Sequence, residues 1–313
     1  MNRSDIQQIL DTDYAIPADH ALEDSTSQLE TLLSSPDSFL RENATEILWQ
    51  WTLRGFFTDE QLIALGNRMA NCLGRGAGET ETDSVFLRAF AALALAGVLI
   101  ADQRAVEGQF HERDPFLTQD QVIAWFDATL ACFEAEQDRR GHVEQKGWAH
   151  ALAHEADVLS DFARSHNIQK PQLERLLDAV ATKMIEPCDR VLKFNEDERI
   201  IQAVMDILRR NLVGIEFLQQ WLDRIAHTSD GGHWADVFGL ASCSEADNNA
   251  RINARLFLRS LYFQLQFGSR SFRAQYLPDH YAREILVRDE LIAAVLDAIK
   301  HTDKYFYARE DGS

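Results

Sequence analysis

From residue 147 to residue 161 the chain reads Gly-Trp-Ala-His-Ala-Leu-Ala-His-Glu-Ala-Asp-Val-Leu-Ser-Asp. This is the densest run of reactive side chains on a helical spacing. At about 100° per residue, a helix here gathers His150, His154, Asp157 and Asp161 into one stripe. Trp148, Leu152, Leu159 and Phe162 then fall on the opposite face as apolar anchors. Two chemistries suit such a stripe. Imidazoles four residues apart can chelate one divalent ion. An imidazole and a carboxylate three apart form a couple in which the carboxylate orients the ring and favours its charged form.

Spacing favours the couple. Asp157 sits about 10 Å along the helix axis from His150, too far to join both imidazoles on one ion. Glu155 follows the second histidine, so the H-E-x-x-H arrangement with its positioned base is absent. A metal on His150 and His154 needs further ligands from Asp138, Glu136 or His233. No cofactor is expected, with a divalent metal as the alternative. Nucleophilic catalysis lacks a signature, since there is no G-x-S-x-G elbow and no cysteine with a motif partner. Gly74-Arg75-Gly76-Ala77-Gly78 has no following Lys-Ser/Thr and no preceding strand, so it reads as a turn and not a phosphate loop.

The elements that must position these residues read as helices throughout. Asp37 caps a helix to Arg54, which Gly55 stops. Thr58 caps the next, to Gly74. Val85 to Asp102 is apolar, and Gln119 to Gln137 carries Val122, Trp125, Phe126, Leu130 and Phe133 at helical spacing. After the Trp148 helix, Pro171 opens a helix ending near Pro187. Further helices are expected from Asn195 or Asp197, from Gly214 to His227, from Asn248 to Phe267 and from Pro278 to Thr302. The loop 228–246 offers His233-Trp234 as a lid. Arg270 and Arg273 near Tyr276 read as a solvated basic-aromatic loop. Strand alternation is nearly absent, so an all-α fold is expected. Sequential helix pairs point to a HEAT/armadillo-like α-α superhelix, with a compact helical bundle or α/α toroid as the alternative. Residues 1–25 read as an extension with one short helix, and 26–313 as a single helical-repeat domain.

Composition narrows the function classes. Of 313 residues 46% are hydrophobic, enough for a large core, and 31 Lys plus Arg face 50 Asp plus Glu for a formal charge of −19. Such a surface repels nucleic-acid phosphates and anionic membranes over most of its area. Cys72, Cys132, Cys188 and Cys243 are scattered and form neither a disulfide framework nor a zinc knot. The first residues lack the apolar core of a signal peptide, and the apolar run Ala89 to Ile100 is short for a bilayer. A cytoplasmic protein is expected.

One resemblance is specific. Glu136-Gln137-Asp138-Arg139-Arg140-Gly141, followed by Lys146-Gly147-Trp148-Ala149-His150-Ala151-Leu152-Ala153-His154-Glu155-Ala156-Asp157, resembles the pattern E-x-D-x-R-G…K-G-W-A-H-x-x-A-H-x-A-D. That pattern marks the bacterial family known as domain of unknown function 2785. Asp83-Ser84-Val85-Phe86-Leu87-Arg88 resembles the start of its D-S-V-F-x-R-S-F-S-x-L block, with Ala89 and Ala91 where the family has serines. Arg259-Ser260-Leu261-Tyr262-Phe263 is similar to its R-N-L-Y-F block, with Ser260 for Asn. The resemblance implies a helical, HEAT-like fold and supplies no reaction. It adds Arg88, Asp138 and Arg140 to His150, His154 and Asp157 as ligand-binding candidates.

Three functions fit these residues. The first is a binding or scaffold protein whose His/Asp/Arg cluster lines a groove for a peptide or small molecule. The second is a metal-assisted hydrolase or lyase using His150 and His154 with Asp157. The third, disfavoured by charge, is a nucleic-acid-binding HEAT-like protein. The plain alternative to all three is an internal polar network tying adjacent helices together.

Overall fold

A computed structural model describes residues 1–18, 20–239, 243–269, 271–303 and 307. Arg270 lies outside the described residues. The fold is all-α, with one short hairpin among the described residues, and the chain divides into two compact units, residues 1–167 and 168–313.

The first unit contains α1 (Arg3–Asp11), α2 (Leu22–Leu32), α3 (Ser38–Leu53), α4 (Asp59–Leu73), α5 (Ser84–Val106), α6 (Gln119–Ala135), the strands β1 (His142–Val143) and β2 (Gly147–Trp148), and α7 (Ala151–Arg164). Local chemistry sets several starts. Asp37 accepts the Phe39 amide at the head of α3, and Thr58 and Thr118 form capping boxes with Gln61 and Gln121. These side chains satisfy amides that have no partner within the helix. The core is α5, which packs against α3, α4 and α7. It is 23 residues long and apolar enough to cross a membrane, longer than the apolar run in the sequence suggests, but 83% of its most apolar window is buried inside the protein. At the α4–α6 crossing a Cβ on Gly66 would lie 2.2 Å from the Trp125 ring, so glycine there lets the indole seat against the α4 backbone. Buried Asp102 holds the approach to α6 by accepting the Phe116 and Leu117 amides at 2.8 and 2.9 Å.

The second unit contains α8 (Lys170–Ile185), α9 (Glu196–Arg209), α10 (Ile215–Ile225), α11 (Trp234–Gly239), α12 (Glu245–Phe267), a 3-10 turn (Phe272–Gln275), α13 (Pro278–Tyr281) and α14 (Arg288–Thr302). Its centre is α12, which packs against α8, α9, α11 and α14. Asn253 of α12 accepts the Leu192 amide at 2.8 Å and donates to the Arg190 carbonyl at 3.2 Å, fastening the connection before α9.

Several expected elements differ. The helix expected from Pro278 to Thr302 is broken between Tyr281 and Arg288. The expected loop 228–246 contains α11, and Trp234 is no lid: it is 1% exposed and its indole donates to the Ile225 carbonyl at 3.0 Å. The Gly74–Gly78 segment is the expected turn, with Gly76 and Gly78 at φ +70° and +82°.

Candidate functional site

The largest difference from expectation concerns residues 147–161. The helix begins at Ala151, and Gly147-Trp148 is a strand. It pairs antiparallel with His142-Val143, placing His142 opposite Trp148 and Val143 opposite Gly147. The ladder continues past the strands, since the Ala149 amide donates to the Gly141 carbonyl at 2.9 Å and the His150 amide to the Arg140 carbonyl at 3.0 Å. The turn closes through the Lys146 amide on the Val143 carbonyl, with Gln145 in the left-handed region at φ +63°. This three-residue loop with a left-handed residue is a common hairpin connection. A period-2 signal needs several residues, and two-residue strands supply none.

Two residues force the hairpin into place. Gly147 sits at φ +76°, and a Cβ there would lie 2.6 Å from the Ser38 Cβ. Arg41, fully buried on α3, donates to the Lys146 and Trp148 carbonyls at 2.7 and 3.1 Å and to the Ser35 carbonyl at 2.6 Å. Its guanidinium lies over the rings of Phe86 (4.0 Å) and Phe90 (4.7 Å). Burial pushes Arg41 below the usual arginine value, against the opposing charges of Glu42, Asp37 and Asp83. Sequence reasoning missed Arg41; in sequence it is one arginine of a helix with no motif attached.

His150 therefore occupies the N-cap position of α7, not a helical one, with left-handed backbone at φ 51°, ψ 34°. Such a conformation costs a non-glycine residue about 1–2 kcal/mol and persists where the surroundings impose it. The turn swings the imidazole onto the Trp148 indole, stacked at 4.9 Å with an interplanar angle of 25°. His142 meets the same indole edge-on at 5.3 Å, His154 meets His150 at 5.6 Å, and Phe90 meets His154 at 5.0 Å. A row of rings thus runs inward from the exposed His142 to the core. Trp148 is no core anchor: it is 39% exposed, while His150 and His154 are 9% and 8% exposed. The expected two-faced helix is also corrected, because every residue of α7 is buried. His154, Asp157 and Asp161 lie on a fully buried helix that packs against α5 and α6, with Asp161 ion-paired to Arg164.

Arg88, Asp138 and Arg140 fall into a neighbouring network. Arg88 and Glu136, both fully buried, pair through Nε–Oε2 at 2.5 Å and Nη2–Oε1 at 3.0 Å. Burial alone would depress Arg88, but the hydrogen bonds and charge of Glu136 and the charge of Glu155 outweigh it and raise its pKa. Asp138 binds Arg140 through both carboxylate oxygens, and the Asp138 amide donates to Glu136 Oε1 at 2.7 Å, joining the two pairs. Four groups grip the segment before α5. Arg88 donates to the Glu79 carbonyl, Arg140 to the Thr82 carbonyl, Asp138 accepts the Glu81 amide, and Lys146 pairs with Asp83 at 2.7 Å. Hydrogen-bonded ion pairs of this kind brace a structure when both partners are in place.

The reactive groups in the interior are subdued. Cys132 is buried, donates to Glu155 Oε1 at 3.2 Å and to the Leu73 carbonyl at 3.0 Å. Burial first, and the Glu155 carboxylate second, push its thiol far above the ordinary range, which disfavours the nucleophilic thiolate. Among the described residues, no group of three or more His, Cys, Asp or Glu side chains is arranged to hold a metal ion.

No curated protein and no solved structure matches the chain. The family model described as "Protein of unknown function (DUF2785)" matches residues 73–263, more than half of the sequence and parts of both units. The hairpin, the α7 histidines and the Arg88–Glu136–Asp138–Arg140 brace all lie inside that match, and the chain belongs to this family.

Proposed function

We propose that the first unit is a binding module whose contact surface is the outer face of the hairpin, with Trp148 as the anchor for a peptide or small molecule presenting a flat ring. The observation that carries this reading is the indole itself. It is 39% exposed, yet backed by His150 and flanked by His142, on a hairpin tied to Arg41. An aromatic side chain held rigid and half-exposed offers a large contact area at little entropic cost. The exposed His142 adds a donor at its rim. The Arg88, Glu136, Asp138 and Arg140 side chains already bind one another, so they serve as the brace behind the surface. On this reading the protein is a cytoplasmic, HEAT-like helical scaffold; the helical content of both units and the burial of α5 support it.

The test is a ligand-observed NMR screen with monosaccharides, nucleosides and aromatic dipeptides at millimolar concentration. Hits are expected to lose at least tenfold in affinity in Trp148→Ala, with helical circular dichroism unchanged. Absence of hits, or equal binding to the variant, overturns the reading.

A further inference from the structure

The second unit holds a cleft of about 400 Å³ lined by Thr182, Glu186, Asp223, His227, Thr228 and Ser229, among others. One wall is the loop from His227 to His233. The two histidines pair through an isolated antiparallel bridge. Within the loop the Thr228 amide donates to the Gly232 carbonyl at 3.0 Å and the Gly231 amide to the Thr228 carbonyl at 2.8 Å. Against it lies His301 in the last turn of α14, whose ring is 4.7 Å from that of His227 and 4.5 Å from that of His233. We propose that these three histidines form a pH-operated latch that holds the 228–232 loop against α14 and so sets the shape of the cleft.

Hydrogen bonding assigns the protons at neutral pH. His227 Nδ1 lies 2.7 Å from the Asp223 carbonyl; a carbonyl only accepts, so this nitrogen carries a hydrogen. His233 Nδ1 accepts the Ala235 amide at 3.1 Å, which fixes its neutral form with the hydrogen on Nε2. That bond, with the Asp236 amide on the His233 carbonyl at 2.9 Å, makes His233 the cap of α11. A second proton on His233 must go to Nδ1, where it faces the Ala235 N–H and breaks the bond.

Charges of both signs surround the rings. Asp223 Oδ1 lies 3.6 Å from His227 Nδ1, and His301 sits at the carbonyl end of α14. Arg224 of α10 lines the same cleft. Lys183 and Glu186 of α8 pair with each other at 2.7 Å, as do Arg255 of α12 and Asp303 at 2.5 Å. Asp236 lies in the first turn of α11. Asp230 is held below the usual carboxylate range by the Thr228 hydroxyl and the Gly232 amide, so it stays charged while imidazoles titrate. Two like charges about 4.6 Å apart weaken a second protonation by roughly two to three orders of magnitude at an effective dielectric of about 20. Acid therefore loads the cluster until the His233 cap fails and the loop lets go.

Amide hydrogen exchange of Thr228 and Gly231, corrected for intrinsic rates, tests this on the full chain at pH 7.5 and 5.5. Wild-type protection is expected to fall at least tenfold on acidification. His233→Asn keeps a capping acceptor without a titrating group, and His301→Gln removes the crowding; each is expected to cut the fall to under threefold. If His233→Asn loses its helical signal, His301→Gln carries the comparison. A pH-independent wild type, or variants that keep the wild-type pH response, overturns the latch.

Discussion

Replacing Gly147 with alanine tests the geometry of the hairpin directly. The residue sits at φ +76°, where an L-side chain costs about 1–2 kcal/mol. The new Cβ would lie 2.6 Å from the Ser38 Cβ, well inside the carbon–carbon optimum of about 3.5–4.0 Å. Relieving such a clash by moving α3 or the hairpin costs about 1–3 kcal/mol. The sum is a destabilisation of about 2–5 kcal/mol, read by urea unfolding. Faster exchange of the Ala149 and His150 amides, which close the ladder, should accompany it. Ser38→Gly removes the clashing atom at the first residue of α3 and leaves the backbone strain in place. The double variant should recover the steric part, giving a favourable coupling of at least about 1 kcal/mol. Gly147→Ala within about 0.5 kcal/mol of wild type, or strict additivity with Ser38→Gly, refutes the reasoning.

Other expectations follow from buried charge. Glu136→Gln leaves the Arg88 guanidinium without its counter-charge and should cost about 3–5 kcal/mol, whereas Arg88→Met with Glu136→Leu should recover most of that loss; equal destabilisation by both would contradict the bracing role. Asp102 has its pKa raised by burial, against the lowering effect of the Leu117 and Phe116 amides. A carboxylate whose folded pKa lies above its unfolded one destabilises the fold above the folded pKa, and that cost vanishes as pH falls to the unfolded value. Asp102→Asn, which keeps the accepting oxygen, should therefore be the more stable protein at pH 7. The advantage should shrink between the raised pKa and the ordinary value, as followed by thermal unfolding across pH.

Helix punctuation carried far in the sequence because capping is local. Asp37, Thr58 and Thr118 each sit where the structure starts a helix. The family blocks also pointed to residues that the fold brings together, since Asp138 and Arg140 hold the segment leading into Asp83-Ser84. What stayed hidden was tertiary. A periodic run of His, Ala and Asp suits an exposed stripe, but every residue of α7 is buried, and periodicity does not register a helix with polar groups buried among partners. Trp148 followed the helical pattern of its neighbours until a strand pairing across three residues claimed it. His150 took a left-handed backbone that no local propensity announces. Arg41 acts across a sequence distance of more than a hundred residues, through hydrogen bonds to carbonyls that carry no residue signature.

Arg41 has one more consequence. The family match begins at residue 73, but the guanidinium that holds the Lys146 and Trp148 carbonyls, and the Ser38 surface on which Gly147 rests, both come from α3. A fragment cut at the edge of the family match would keep every motif residue and lose their support. Two hairpin carbonyls would be left to water and Phe86 and Phe90 would lose the cation across their faces. The boundary of shared sequence and the boundary of a working hairpin are different places in this chain, and the second lies upstream of Ser35.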